Sequence, residues 1–177
     1  MKKKLFFGSL FFLSLFFSCK KMSVDPSILN PLPDSIEVKN TTISHQVYPT
    51  DPYSTGYDIL SNKVVSLETG VDLRNIDMEY LGGVFRAAAT STGLYVNTTI
   101  FVKVNNEINY SSNVIKNQVR ELFIKKQQVA DQSQNPLEGD IYIGRVRNQD
   151  IYILFKITKA RYMGMVVDMT FDCKIWK

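Results

Sequence analysis

From Asp140 to the C-terminus, apolar and polar positions alternate more regularly than anywhere else in the chain. Ile151, Ile153, Phe155 and Ile157 alternate with Tyr152, Leu154, Lys156 and Thr158. Val167, Met169, Phe171, Cys173 and Ile175 alternate in the same way with Asp168, Thr170, Asp172 and Lys174. A period of two puts successive side chains on opposite faces of an extended chain. With Asp140 to Arg147 as a preceding strand, a turn over Asn148-Gln149-Asp150 and another near Met163-Gly164, the pattern predicts a three-stranded antiparallel meander with one buried face.

Upstream the strands are shorter. Ile43 to Tyr48 reads as a first strand, and Pro49-Thr50-Asp51-Pro52 breaks it. Tyr57 to Leu60 and Lys63 to Leu67 flank Ser61-Asn62 as a hairpin. From Asn75 to Tyr80, Ile76, Met78 and Tyr80 alternate with Asp77 and Glu79, which predicts a half-buried strand with the two acids on its wet face. Gly82-Gly83 permits a bulge or tight turn, Val84-Phe85 and Leu94-Tyr95-Val96 are short apolar pieces, and Ile100 to Val104 is a further strand. Helical spacing is convincing only over 111–128, where Ile115, Val119, Leu122 and Phe123 form one stripe. Ser111 or Ser112 is the expected cap, and Lys125 and Lys126 lie at the negative end of the helix dipole. The expected fold is mainly β, antiparallel sheets with one packed α-helix, in a single domain over 43–177.

The N-terminal stretch has a different pattern. Lys2, Lys3 and Lys4 precede an apolar run from Leu5 to Phe17, broken only by Gly8, Ser9 and Ser14. The run is short for a bilayer span and fits a signal-peptide core. It stops at Phe16-Phe17-Ser18-Cys19, and Lys20-Lys21 follow at once. A small residue directly before Cys resembles a bacterial lipoprotein signal. That resemblance implies cleavage between Ser18 and Cys19, and acyl chains, palmitate among them, on Cys19. Residues 1–18 are then a signal peptide and 19–42 a lipidated N-terminus and flexible tether, with Pro26, Pro31 and Pro33 among polar residues. Each buried acyl methylene contributes about 0.8 kcal/mol, so several chains anchor stably without a transmembrane helix.

This processing changes the charge. The chain carries 21 Lys and Arg against 17 Asp and Glu. Removing Lys2, Lys3 and Lys4 leaves 18 basic against 17 acidic side chains, a net of about +1. The basic surplus that would point to nucleic acid therefore largely disappears, and no nucleic-acid partner is expected. At 177 residues, with 45% hydrophobic and 21% charged residues, the composition excludes a wholly disordered chain. One His and two Cys exclude most multi-ligand His/Cys metal sites and a disulfide framework. With Cys19 acylated, Cys173 is the remaining thiol, and its place in a strand pattern makes it a buried structural one.

Candidate chemistry is sparse. His45 is the sole His, and no Gly-x-Ser-x-Gly, phosphate loop or dinucleotide fingerprint occurs, which leaves no basis for a Ser-His-Asp hydrolase. Asp77 and Glu79 lie about 7 Å apart along one strand face, the type of pair a carboxylate-dependent hydrolase would use. No catalytic residue and no metal site is expected. Met163 and Met165, flanking Gly164 at a hairpin tip, are the candidate soft ligands, since thioethers suit copper(I) or an axial haem position.

Taken together, the lipoprotein signal, the Pro-rich tether, the strand Asn75-Ile76-Asp77-Met78-Glu79-Tyr80, one helix, then Gly139-Asp140-Ile141-Tyr142-Ile143 and Ile151-Tyr152-Ile153-Leu154-Phe155-Lys156-Ile157 resemble the HmuY-like lipoproteins of Bacteroidetes, over about residues 57–177. The resemblance implies an all-β fold with a packed helix, and haem held by paired His or Met. This sequence departs from that pattern. It has no second His, His45 precedes the matching region, and Met163 and Met165 fall downstream of the expected ligands.

The expected function is a non-catalytic binding or assembly module in the cell envelope, lipid-anchored at the outer membrane. Its partner would be a protein, a glycan or a small hydrophobic ligand, with Tyr-rich faces near Tyr142 and Tyr152 as the first surface to inspect. Lys20-Lys21 lack the acidic run of surface-export signals, so a periplasmic orientation is favoured over the cell surface. The alternative is a haem-binding lipoprotein, with haem as its cofactor, and the second alternative a carboxylate-dependent hydrolase.

Overall fold

Alternation at period two does become the framework of the fold. The structure, a computed structural model, describes residues 35–46, 53–67, 72–81, 84–86, 98–126, 136–163 and 166–177. The strands are β1 (Ile36–Gln46), β2 (Tyr53–Asp58), β3 (Lys63–Ser66), β4 (Met78–Leu81), β5 (Val84–Arg86), β6 (Ile100–Lys103), β7 (Ile141–Arg145), β8 (Tyr152–Met163) and β9 (Val166–Trp176), and the helix is α1 (Lys116–Lys126). All pairings are antiparallel, so the fold is mainly β with one α-helix, as expected.

The strand order is β5-β4-β2-β1-β9-β8-β7-β6, and β3, off this path, pairs with β2 over Thr55–Asp58. This path folds into two sheets. β1 and β6 to β9 form the main sheet, and β2 to β5 form a second, smaller one. Two register pairs, His45↔Ser54 and Gln46↔Tyr53, join them at a corner.

The main sheet is buried on both faces. On the inner face Ile43, Phe101, Tyr142, Phe155, Ile157 and Phe171 pack against Tyr57, Ile59, Met78 and Tyr80 of the second sheet and its turn. On the outer face Val102, Ile143, Leu154 and Trp176 pack against Val119 and Phe123 of α1. The expectation of one buried face is therefore corrected. Tyr152 and Leu154, the residues that alternate with the Ile151 set, are buried too, because the helix needs an apolar surface for its own stripe. Tyr142 and Tyr152 lie on opposite faces, each fully or nearly buried, so they form no exposed Tyr-rich face.

Several boundaries also move. β1 begins at Ile36 and pairs with β9 from Ile36↔Ile175, so residues 36–42 belong to the sheet and not to the tether. A register shift between Val38 and Thr41, with Asn40 at φ 55°, interrupts the alternation and hides that strand in the sequence. The helix starts at Lys116. Ser111 and Ser112 instead close a turn on Asn109, whose side chain accepts from Ser111 N at 3.0 Å and whose carbonyl accepts from Ser112 Oγ at 2.6 Å. Ile115, placed on the apolar stripe by its spacing, precedes the helix and is half exposed. Before β4, residues Leu73–Asn75 form a 3-10 turn capped by Asp72, so that strand starts at Met78. Leu94-Tyr95-Val96 lies outside the described residues.

Candidate functional site

Asp77 and Glu79 are not the wet face of a strand. Asp77 is fully buried and Glu79 is 6% exposed. Asp77 sits just before β4 and faces a guanidinium brought from the turn between β7 and β8. Arg147 Nε donates to Asp77 Oδ1 at 2.8 Å, and Nη2 donates to Oδ2 at 2.9 Å. The same Nη2 reaches Asp58 Oδ1 at 2.9 Å and the Asn75 carbonyl at 2.7 Å. Thr99 Oγ1 donates to Asp77 Oδ1 at 2.9 Å and accepts from Arg147 N at 3.1 Å. Ile59 N completes the set by donating to Asp77 Oδ2 at 2.9 Å.

The local backbone explains how Arg147 gets there. Arg147 and Asn148 have φ of 48° and 56°, and Gln149 N donates to the Val146 carbonyl at 2.8 Å. Positive φ at both central residues is the geometry of a type I′ hairpin turn, which matches the twist of the flanking strands. Asn suits that position; Arg does not, and its ties to Thr99 and Asp77 hold it there. The alternation pattern ends its strand on Arg147 and puts the turn at 148–150, one residue too late. The available signal is the polar run Arg147 to Asp150 between two strands, with Asn148 suited to the left-handed region.

This arrangement limits the chemistry of Asp77. Burial pushes its carboxyl above the ordinary range, and Arg147, Thr99 and the Ile59 N–H oppose that push. Each oxygen already accepts two hydrogen bonds, which leaves no lone pair directed at a substrate. A general base needs its proton acceptor within reach of the substrate. A second carboxylate, Asp140 ahead of β7, is equally engaged. It meets Lys103 Nζ at 2.6 Å, Leu137 N at 2.8 Å and Asn105 Nδ2 at 3.0 Å.

The candidate soft ligands are not assembled. Met163 ends β8 with 64% of its surface exposed, and Met165 lies outside the described residues. Among the described residues no three His, Cys, Asp or Glu side chains come together as a metal site requires. His45 lies in β1 beside Val167, with its pKa lowered by burial. Cys173 is buried, and its thiol is pushed up to about 12 chiefly by desolvation, with Tyr57 Oη 3.8 Å from Sγ. A thiol in that state is inert. Ser18 and Cys19 lie outside the described residues, and among those described no helix is long and apolar enough to cross a membrane.

Among the described residues a groove of about 460 Å³ lies between α1 and the 107–114 segment. Ile108, Val114 and Leu122 provide its apolar lining, and Gln118, Glu121 and Lys125 its polar rim. Gln118, Glu121, Leu122 and Lys125 fall three and four residues apart, so one helix face presents all four. The Asn109 turn holds the opposite wall. An ion pair between Lys126 and Glu107 ties that wall to the helix end. Its size suits a ligand or a partner's side-chain cluster. Helical spacing puts Leu122 on the apolar stripe, but the groove itself depends on a turn at 109–115 that the spacing does not predict.

Comparison of the chain with protein families, curated proteins and solved structures finds no match.

Proposed function

We propose that the protein is a cell-envelope lipoprotein, anchored at the outer membrane through acylated Cys19 and facing the periplasm. Its folded domain acts as a non-catalytic binding or assembly module for a partner protein, and the groove along α1 is the contact site. Its sequence pattern resembles that of the HmuY-like lipoproteins, which supports the envelope and binding-module reading. The observation that carries the reading is the saturation of Asp77. The carboxylate an enzyme reading needs is consumed by Arg147, Thr99 and the Ile59 N–H, while an open groove lies elsewhere, along α1.

Two measurements test it. Cys19→Ala should move the mature protein from the membrane fraction to the soluble one; retention on the membrane with no loss of acyl label would defeat the anchor. A photo-crosslinker at Glu121 should trap a defined envelope protein that the same group at Lys39, exposed on β1, does not. Equal trapping at both positions would remove the groove from the argument. Haem titration separates the alternative. A Soret shift lost in the Met163→Ala, Met165→Ala double variant would replace partner binding with haem capture.

A further inference from the structure

Three cations meet around one carboxylate at the start of α1. Lys116 Nζ lies 2.9 Å from Asp150 Oδ2. Arg120, one turn further along the helix, and Arg145, at the end of β7, join Lys116 in holding the Asp150 carboxyl below its ordinary range. Lys116 Nζ also donates to the Lys177 main-chain oxygen at 3.4 Å, and Lys177 is itself a cation. Asp150 alone cannot neutralise this group, so a positive surplus stays at the surface. The other ion pairs among the described residues match cation and acid one to one, or set Arg147 against two carboxylates. Lys116, Arg120 and Ile124 are spaced four apart and form one strip of α1. Ile124 is 56% exposed. The groove uses a separate strip, Gln118, Leu122 and Lys125.

The strand ladders put the Lys116 strip at the end of the domain where the chain arrives from Cys19. Ile36 at the start of β1 is opposite Ile175, Trp176 is opposite Tyr152, and Tyr152 is opposite Arg145. The start of β1 and Arg145 are thus three strand spacings apart, about 14 Å. The β8–β9 tip, where Met163 is opposite Val166, is at the far end of the same ladder. We propose that the Lys116-Arg120-Ile124 strip, with Arg145, is a docking surface for the anionic phospholipid headgroups of the membrane that holds Cys19. That membrane comes from the anchored reading above; the contact itself needs no acyl chain. Guanidinium and ammonium groups pair with headgroup phosphates, and an exposed isoleucine beside them suits the boundary between headgroups and acyl chains. The contact is weak by itself, and the tether gives it effect by keeping the bilayer within reach. Unlipidated protein therefore still leaves the membrane fraction of cells on washing, so failure of the anchor and failure of the contact are read separately.

The test sediments the chain from residue 19, carrying Cys19→Ala, with millimolar phosphatidylcholine vesicles and with vesicles that also contain phosphatidylglycerol. At about 0.15 M salt the protein should partition onto the phosphatidylglycerol vesicles and leave phosphatidylcholine alone bare. Each Lys or Arg near an anionic surface contributes about fivefold, so Arg120→Glu, a change of two charges, should cut partitioning by more than about tenfold. Ile124→Ser should lower it as well. Lys159→Glu makes the same change of net charge at an exposed position on β8, about 23 Å along the strand from Tyr152. That distance exceeds the screening length of about 8 Å, so Lys159→Glu should stay near the parent value. In about 1 M salt the parent and Arg120→Glu should converge. Arg120, Ile124 and Lys159 are all exposed, so none of these changes touches the core. Equal losses in Arg120→Glu and Lys159→Glu would reduce the effect to net charge and overturn the docking surface. No partitioning of the parent, or equal partitioning onto both kinds of vesicle, would overturn it as well.

Discussion

Arg147 grips Asp77 across 70 residues of chain through two parallel hydrogen bonds, Nε to Oδ1 at 2.8 Å and Nη2 to Oδ2 at 2.9 Å. The planar fork matches a carboxylate in a way that an ammonium cannot. Because Asp77 is fully buried and Arg147 only 16% exposed, the pair is shielded from the solvent that makes surface ion pairs nearly worthless. Its formation costs desolvation, so the pair is a weak source of net stability, whereas breaking it is expensive.

Arg147→Ala is expected to cost about 3–5 kcal/mol at neutral pH, since it leaves Asp77 and Asp58 facing each other without a counter-charge. The deficit should shrink in acid. Burial already raises the Asp77 pKa, and losing the guanidinium raises it further. A group whose folded pKa lies above its unfolded value adds stability at low pH and loses it as pH rises through the folded value. Urea unfolding of variant and parent at neutral and mildly acidic pH checks this. A deficit independent of pH would show that Asp77 is not the group left uncompensated.

The long strands are legible in the sequence because their alternation is local. Ile151 to Ile157 and Val167 to Ile175 declare two faces without reference to the rest of the chain. What alternation does not show is how wet each face is. Asp77 and Glu79 look like the polar residues of an ordinary half-buried strand, and only a partner from the distant Arg147 turn makes burial of Asp77 tolerable. The helix lies where its apolar spacing places it, but it is shorter than that spacing suggests. Ser111 and Ser112 have capping chemistry, yet Asn109 claims both of them first in a tight turn. The groove follows from that turn, so it is invisible in the sequence for the same reason.

Phe155→Ala should destabilise the domain by about 3–5 kcal/mol. The ring stacks on Tyr142 at 5.3 Å and meets Phe101 and Phe171 edge-on, each at 5.7 Å, so three aromatic neighbours would border the cavity. Phe155→Leu, which refills most of that volume, should recover a large part of the loss. Equal losses for the two variants in denaturant titrations would argue against a packed aromatic centre.

Gly144→Ala tests the same layer by overfilling it. A Cβ there would fall 2.7 Å from the Phe101 ring and 2.8 Å from Ile153 Cγ2, both on neighbouring strands. Overpacking of this type costs about 1–3 kcal/mol. Pairing the change with Phe101→Leu should return part of the lost stability, and a purely additive double variant would place the strain elsewhere.

Asp140 is expected to contribute to the acid dependence of the parent protein. Its burial alone would raise the carboxyl pKa, but Lys103, the Leu137 N–H and Asn105 outweigh that and hold it below the ordinary carboxylate value. A depressed folded pKa contributes stability that is complete above the unfolded value and is lost as pH falls through the folded one. Asp140→Asn should therefore be less stable than the parent at neutral pH, with the gap closing as the parent's Asp140 protonates. Lys103→Met should raise the Asp140 pKa and move the same loss to higher pH, because the strongest opposing charge is gone. Carboxyl titration by NMR together with thermal unfolding across the acid range reads both effects. An acid arm in Asp140→Asn that runs parallel to the parent's would assign the acid sensitivity to other carboxylates.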